Sequence, residues 1–369
     1  MALSNWLDIK VKYKRATLIL GNGFSIGIHD KFKYKSLWDE AKKEPTCGET
    51  REYLTEDLCS LAAKLKTGTN FELLLRQLYT AKIVNEKFEL ETEKIEKNYA
   101  ALRTALIDTI KEIHCEYSAV EDDLKTRIAF LKQFNTVFSL SYDLLVYWII
   151  NLNNRIEDDL FENAKLEHYD KQKTLKDCWG ENGFSYDNWE LYRIRYKKNP
   201  KENSRTLVFF PHGALHLVQT ENGVVKKVKR TEDSCLLTQI TNTWLNNRKK
   251  RHPLFVAEGD HNEKLRAIQS NAYLNTVYQQ ILPKSIKDDC NLVIFGWAMK
   301  RLDQHLIKKI ASSEPKNIAI GIHHQTENKQ AEIVRIKNRL KKQFVKFKKE
   351  APNIEFFEIG EDFFEQKNV

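Results

Sequence analysis

The chain has 369 residues, is 41% hydrophobic and 30% charged, and carries 13 Gly, 7 Pro and a net charge of +9. Such a balance belongs to a globular chain and excludes collagen-like, low-complexity and disulfide-scaffold classes. No run of about 18 apolar residues occurs, so no membrane span is expected. The opening Met1–Trp6 stretch lacks the basic-then-apolar pattern of a secretory leader, so none is expected either.

The first strand signal is the apolar run 16–20, Ala-Thr-Leu-Ile-Leu, which ends at Gly21-Asn22-Gly23-Phe24-Ser25-Ile26-Gly27. Residues 36–133 then mix charged and apolar side chains at spacings of three and four, as around Leu73, Leu74, Arg76, Gln77 and Leu78 and again from Ala100 to Ile113. No strand signal interrupts this block, so it reads as a helical insertion. Residues 136–140 read as the next strand, followed by a helix through Leu144, Leu145, Tyr147, Trp148 and Ile149. Residues 151–205 read as a polar, irregular insertion with a loop at Gly180 to Gly183.

Residues 207–210 form a third strand. Ala214–Val218 and Val224–Val228, joined at Asn222-Gly223, predict a hairpin. Strands are expected at Leu254–Ala257, Leu292–Phe295 and Ile318–Ile322, with helices at about 263–282, 299–311 and 329–349 between and after them. This alternation predicts parallel strands with crossover helices, and Ile354–Phe357 predicts an edge strand. The expected fold class is α/β: a Rossmann-like parallel sheet with flanking helices, a large helical insertion and a small β-hairpin. The expected domains are residues 1–35 with 134–369, and the insertion 36–133.

The cysteines, Cys47, Cys59, Cys115, Cys178, Cys235 and Cys290, include no Cys-x-x-Cys pair. That argues against a zinc ribbon and fits reduced thiols in the cytoplasm. The adjacent His323-His324 pair follows a predicted strand with no ligand cluster nearby, so no metal is expected. The C-terminal helix carries Arg335, Lys337, Arg339, Lys341, Lys342, Lys346, Lys348 and Lys349 opposite Ile333, Ile336, Leu340, Phe344 and Phe347. It reads as an amphipathic helix with a solvated basic face, or as a patch for nucleic acid or an acidic partner. It lacks the aromatic interleaving by which single-strand binders stack bases.

Ligands of open parallel sheets bind beyond the carboxyl ends of the strands, and four unusual residue groups fall there. In the loop Gly21 to Gly27, glycines permit a sharp turn and a close approach to phosphate, a following helix would aim N–H groups at an anion, and Ser25 adds a hydroxyl. In Ser139-Leu140-Ser141-Tyr142-Asp143, Asp143 is either a helix cap or, with Ser141, a lining of the ligand crevice. In Phe210-Pro211-His212-Gly213, the histidine stands where a general base or ribose contact would be useful, whereas His216 reads as structural. In Phe295-Gly296-Trp297-Ala298, glycine again permits close approach, and Asp303 is either a ligand contact or a cap or ion-pair partner of the helix.

Taken in order, these groups resemble the sirtuin-like family, and more closely a bacterial group of sirtuin-like proteins of unknown function, over nearly the whole chain. The marks are Leu18–Ser25, Asn70-Phe71-Glu72, Ser141–Trp148, His212-Gly213, Phe255–Gly259, Lys264–Ile268 and Gly296. The resemblance implies an NAD site. Gly21, Asn22, Gly23, Phe24 and Ser25 match the pyrophosphate loop, and Asp30 and Phe32 the acidic and aromatic residues after it. Tyr142 and Asp143 match the crevice motif, His212 the catalytic base, and Gly296 the start of the element on the adenosine side. Two positions depart from the family: Ser141 stands where an asparagine positions ribose and water, and Ala298 stands where a serine is usual.

Sirtuin deacetylases carry a cysteine-based zinc module whose spacing is absent here, so deacetylation is not expected. The zinc-free bacterial relatives imply an NAD glycohydrolase in anti-phage defence, with NAD as substrate, no metal, and a homo-oligomer or a defence-system protein as partner. Two alternatives stand beside it: an NAD or ADP-ribose sensor without turnover, suggested by Ser141 and Ala298, and a nucleic-acid or protein interaction module using the basic helix.

Overall fold

The computed structural model describes residues 3–33, 37–44, 53–67, 71–164, 174–180, 183–184, 186–187, 189–190, 205–220, 223–228, 235–245, 251–256, 261–287 and 289–365. Asn70, Asn222, Ala257, Glu258, Gly259 and Cys47, all named in the sequence analysis, lie outside these residues. The strands in chain order are β1 (Thr17–Leu20), β2 (Thr136–Ser139), β3 (Thr174–Lys176), β4 (Trp179–Gly180), β5 (Gly183–Phe184), β6 (Arg205–Phe209), β7 (Gly213–Thr220), β8 (Val225–Lys227), β9 (Arg251–Phe255), β10 (Leu292–Phe295), β11 (Asn317–His323) and β12 (Asn353–Ile359). The first eight helices are α1 (Trp6–Ile9), α2 (Asn22–Ile26), α3 (Leu37–Ala41), α4 (Glu56–Lys64), α5 (Phe71–Lys87), α6 (Glu93–Ile113), α7 (Glu121–Leu131) and α8 (Leu145–Ala164).

The chain divides into two compact units. The first comprises Met1–His29, Tyr117–Pro211 and Tyr273–Val369; the second comprises Asp30–Glu116 and His212–Ala272. The first unit is built on a seven-stranded sheet in the order β12-β11-β10-β1-β2-β6-β3. Every pair in it is parallel. Leaving out β3, the order is that of the doubly wound 3-2-1-4-5-6 sheet, so the chain reverses its direction of travel between β1 and β10. The central strands are apolar on both faces because helices cover both: all four residues of β1, β2 and β10 are buried.

The second unit holds α3 to α6, the helices Leu236–Leu245 and His261–Gln269, and a three-stranded antiparallel sheet in the order β8-β7-β9. The predicted hairpin is its β7–β8 pair.

Two readings of the sequence are corrected. The first is the insertion 151–205. Its beginning is the second half of α8, and Thr174–Lys176 pairs with β6 as the parallel edge strand of the main sheet. Three residues of which only Leu175 is buried give no apolar run to read, and the exposed Lys176 suits an edge. The second is the strand at 254–257, expected to be parallel. It is β9, Arg251–Phe255, and runs antiparallel to β7. Its Pro253 sits where the pairing register shifts between Ala214 and Val218, a place that tolerates the missing N–H.

Candidate functional site

The carboxyl ends of β1, β2 and β10 meet in the first unit, and the polar residues of the sequence motifs gather there. α8 begins at Leu145, whose N–H donates to Asp143 Oδ1 at 2.9 Å. Asp143 thus caps the helix. Its other oxygen, Oδ2, accepts the Ser25 hydroxyl at 2.5 Å and also the Ser141 hydroxyl. The side chain is only 3% exposed, so these three donors are what make burial of the carboxylate tolerable. Ser141 Oγ also lies 3.5 Å from Asn22 Oδ1. Asn22, Ser25, Ser141 and Asp143 therefore form one connected polar cluster, with Tyr142 half-buried between two of its members. The cluster joins the two readings of Asp143: it is a helix cap and it lines the strand ends.

The glycines of the site pack against one another. A Cβ on Gly21 would meet Trp297 Cα at 2.4 Å, and one on Gly23 would meet Gly296 O at 2.7 Å. Gly296 has φ +66, and its added Cβ would lie 2.5 Å from Phe24 N. The loops after β1 and β10 thus interlock backbone against backbone, which only glycine allows. The Gly23 N–H donates to Gly296 O at 2.7 Å, the Gly21 N–H to Phe295 O at 2.9 Å, and the Phe24 N–H to Gly21 O at 3.0 Å. Amides that the sequence aims at a phosphate are accordingly engaged within the protein. α2, of five residues, also has little dipole to offer.

Aromatic packing fixes this loop. Phe24 lies edge-on to Phe295 and Phe364, with both centroids 6.1 Å away. Arg127 on α7 donates to Gly27 O at 2.8 Å while its guanidinium lies 4.6 Å from the Phe364 ring centre. Trp297 is buried, and its indole N–H donates to Asp303 Oδ2 at 3.0 Å, so Asp303 anchors the turn after β10. Arg335 reaches Ala298 O at 2.6 Å, and Arg339 reaches Met299 O.

Sequence reasoning missed Arg127, and quoted Trp297 only within the glycine motif and Arg335 only within a basic helix, because their partners are backbone carbonyls or residues brought close only by folding. It also missed Tyr273. The hydroxyl of Tyr273 accepts the Phe210 N–H at 3.1 Å, and burial raises its pKa, keeping it neutral. It thereby fixes the chain two residues before His212.

Asp30, Phe32 and His212 belong to the second unit. Asp30 is 82% exposed and pairs with Lys33 at 2.8 Å. Phe32 is buried with its ring edge-on to His114, centroids 5.3 Å apart. His212 is buried, its carbonyl accepts the Val256 N–H at 2.6 Å, and it precedes Gly213 at φ +75. His216 on β7 is fully buried; desolvation, then Lys227, lowers its pKa well below 6.5. Among the described residues, no group of three His, Cys, Asp or Glu side chains is placed to hold a metal ion. No helix of the described residues is long and apolar enough to cross a membrane.

A family model described as a domain of unknown function (DUF4917) matches residues 18–359 of the chain. No curated protein and no solved structure matches it.

Proposed function

The chain belongs to that family of unknown function, and we propose that it is a zinc-independent NAD glycohydrolase that releases nicotinamide from NAD at the carboxyl edge of its parallel sheet. The observation that carries this reading is the Asn22–Ser141–Asp143–Ser25 cluster, half-buried at Asn22 and buried at the other three, beside the β1/β10 reversal of a doubly wound sheet. That position is the general ligand site of such folds, and the cluster sets hydroxyl, amide and carboxylate groups there.

In this reading NAD lies across the strand ends with its nicotinamide ribose near Ser141. Cleavage of the bond between ribose C1′ and the nicotinamide nitrogen passes through an oxocarbenium-like state, as in other glycosyl transfers. Holding the ribose and a water in register supplies much of the rate. The resemblance of the sequence gives the proton of the water or of a ribose hydroxyl to His212. Because loop amides are engaged internally, polar contacts to the ligand fall chiefly to side chains such as Asn22, Ser141 and Tyr142. The resemblance of the sequence to zinc-free bacterial sirtuin-like proteins supports a cytoplasmic setting and a role in defence, with an oligomeric or partner-dependent trigger.

One observation favours a second reading, a nucleotide sensor without turnover. A serine hydroxyl has one proton, and that of Ser141 goes to Asp143, leaving Ser141 able only to accept from a water. An asparagine there would both donate and accept. Loss of one positioning hydrogen bond costs on the order of ten- to a thousand-fold in rate, judged from oxyanion-hole donors. Incubating the purified chain with NAD and quantifying nicotinamide separates the two readings. Release that disappears in His212→Ala supports the hydrolase. Binding of ADP-ribose with no nicotinamide formed supports the sensor.

A further inference from the structure

We propose that the outward face of the helix Lys329–Lys346, with the residues that follow to Lys349, binds the phosphate backbone of nucleic acid without reading its sequence. Residues 329–349 hold nine Lys and Arg side chains against a single acid, Glu332, in a chain whose net charge is only +9. Nearly all of the molecule's excess charge is therefore concentrated on one element.

The helix is held by its apolar side: Ile333, Ile336, Leu340 and Phe344 are buried. At 3.6 residues per turn the opposite side presents Val334, Asn338, Lys341, Lys342, Val345 and Lys346, all exposed, and Lys348 follows at the helix end. Part of the positive charge is spent inside the fold. Lys329 pairs with Glu358, Arg335 with Glu332, and Lys349 with Glu314. Lys341, Lys342, Lys346 and Lys348 have no such partner among the described residues. Four unneutralised ammonium groups within about two helical turns match the charge density of a phosphate backbone.

The same face fits a lipid surface less well. An interfacial helix buries a continuous apolar stripe among the acyl chains, and this helix has already used its stripe against its own protein. What is left outside is Val334, 54% exposed, Val345, 73% exposed, and Phe347, 40% exposed, which lie apart among polar and basic residues and form no continuous stripe.

Full-length protein is titrated into a short labelled duplex of arbitrary sequence, with fluorescence anisotropy as readout. Neutralising about four phosphates gives a log–log salt slope of about −3.6, so affinity falls roughly 100-fold between 50 and 200 mM salt. A second unrelated sequence gives the same curve. The variant carrying Lys341→Glu, Lys342→Glu, Lys346→Glu and Lys348→Glu, checked for an unchanged melting temperature, loses binding by at least about 100-fold. A control with the same change of charge, Lys64→Glu, Lys87→Glu, Lys94→Glu and Lys97→Glu on exposed positions of α4 to α6, loses less than about tenfold. The proposal is overturned by absence of duplex binding at 50 mM salt, by equal losses in the two variants, or by helix-dependent binding to phosphatidylserine vesicles with none to the duplex.

Discussion

Asp143 shows how one buried side chain ties three elements together. It takes the Ser25 hydroxyl from α2, the Ser141 hydroxyl from the turn after β2, and the Leu145 amide at the start of α8. Asp143→Ala strips the cap from α8 and leaves two buried hydroxyls without their acceptor, a loss of about 3 kcal/mol by urea denaturation. Asp143→Asn costs less, since its carbonyl oxygen still accepts from Leu145. Gly296→Ala places a Cβ 2.5 Å from Phe24 N at a φ of +66. The interlocked loops must part, and stability falls by about 2–4 kcal/mol on the same measurement. These residues were conspicuous in the sequence, yet their work was only half legible there. A glycine announces that a Cβ is unwelcome; it does not say whether the excluding atom belongs to a ligand or, as between Gly23 and Gly296, to another stretch of backbone.

At the scale of elements, the sheet was readable because buried parallel strands are mostly apolar, and β1, β2, β10 and β11 each carry such a run, while β12, at the edge, breaks it with Glu355 and Glu358. β3 was not, because an edge strand of three residues buries one side chain. The direction of β9 was not, because an apolar run carries no sign of whether its neighbour is parallel. β7 makes a separate prediction through His216. Its folded pKa lies well below 6.5 because burial disfavours the cation, with Lys227 adding to the effect. Below 6.5 the unfolded chain takes up a proton that the folded one refuses, so this group's stabilisation holds above that pH and is lost as pH falls. His216→Gln removes a slope of up to about 1.4 kcal/mol per pH unit from the stability profile between about pH 6.5 and 5. Parallel profiles for the two proteins would contradict this.

At the scale of the whole molecule, the chain alternates between a doubly wound unit and a mixed helical and antiparallel unit, passing from one to the other after His29, Glu116, Pro211 and Ala272. None of these passages lies in a Gly-, Ser- or Pro-rich linker that would have marked it in the sequence. Ser141 and Asp143 belong to the first unit, and His212, which follows β6 and Phe210-Pro211 in the chain, to the second. The central claim is that these residues serve the cleavage of NAD, and nicotinamide release measured side by side for the natural chain, Ser141→Asn and His212→Ala tests it most directly. The account predicts slow release from the natural chain, faster release from Ser141→Asn, and none from His212→Ala. Folded natural and Ser141→Asn proteins that release no nicotinamide, whether or not they bind NAD, would contradict it.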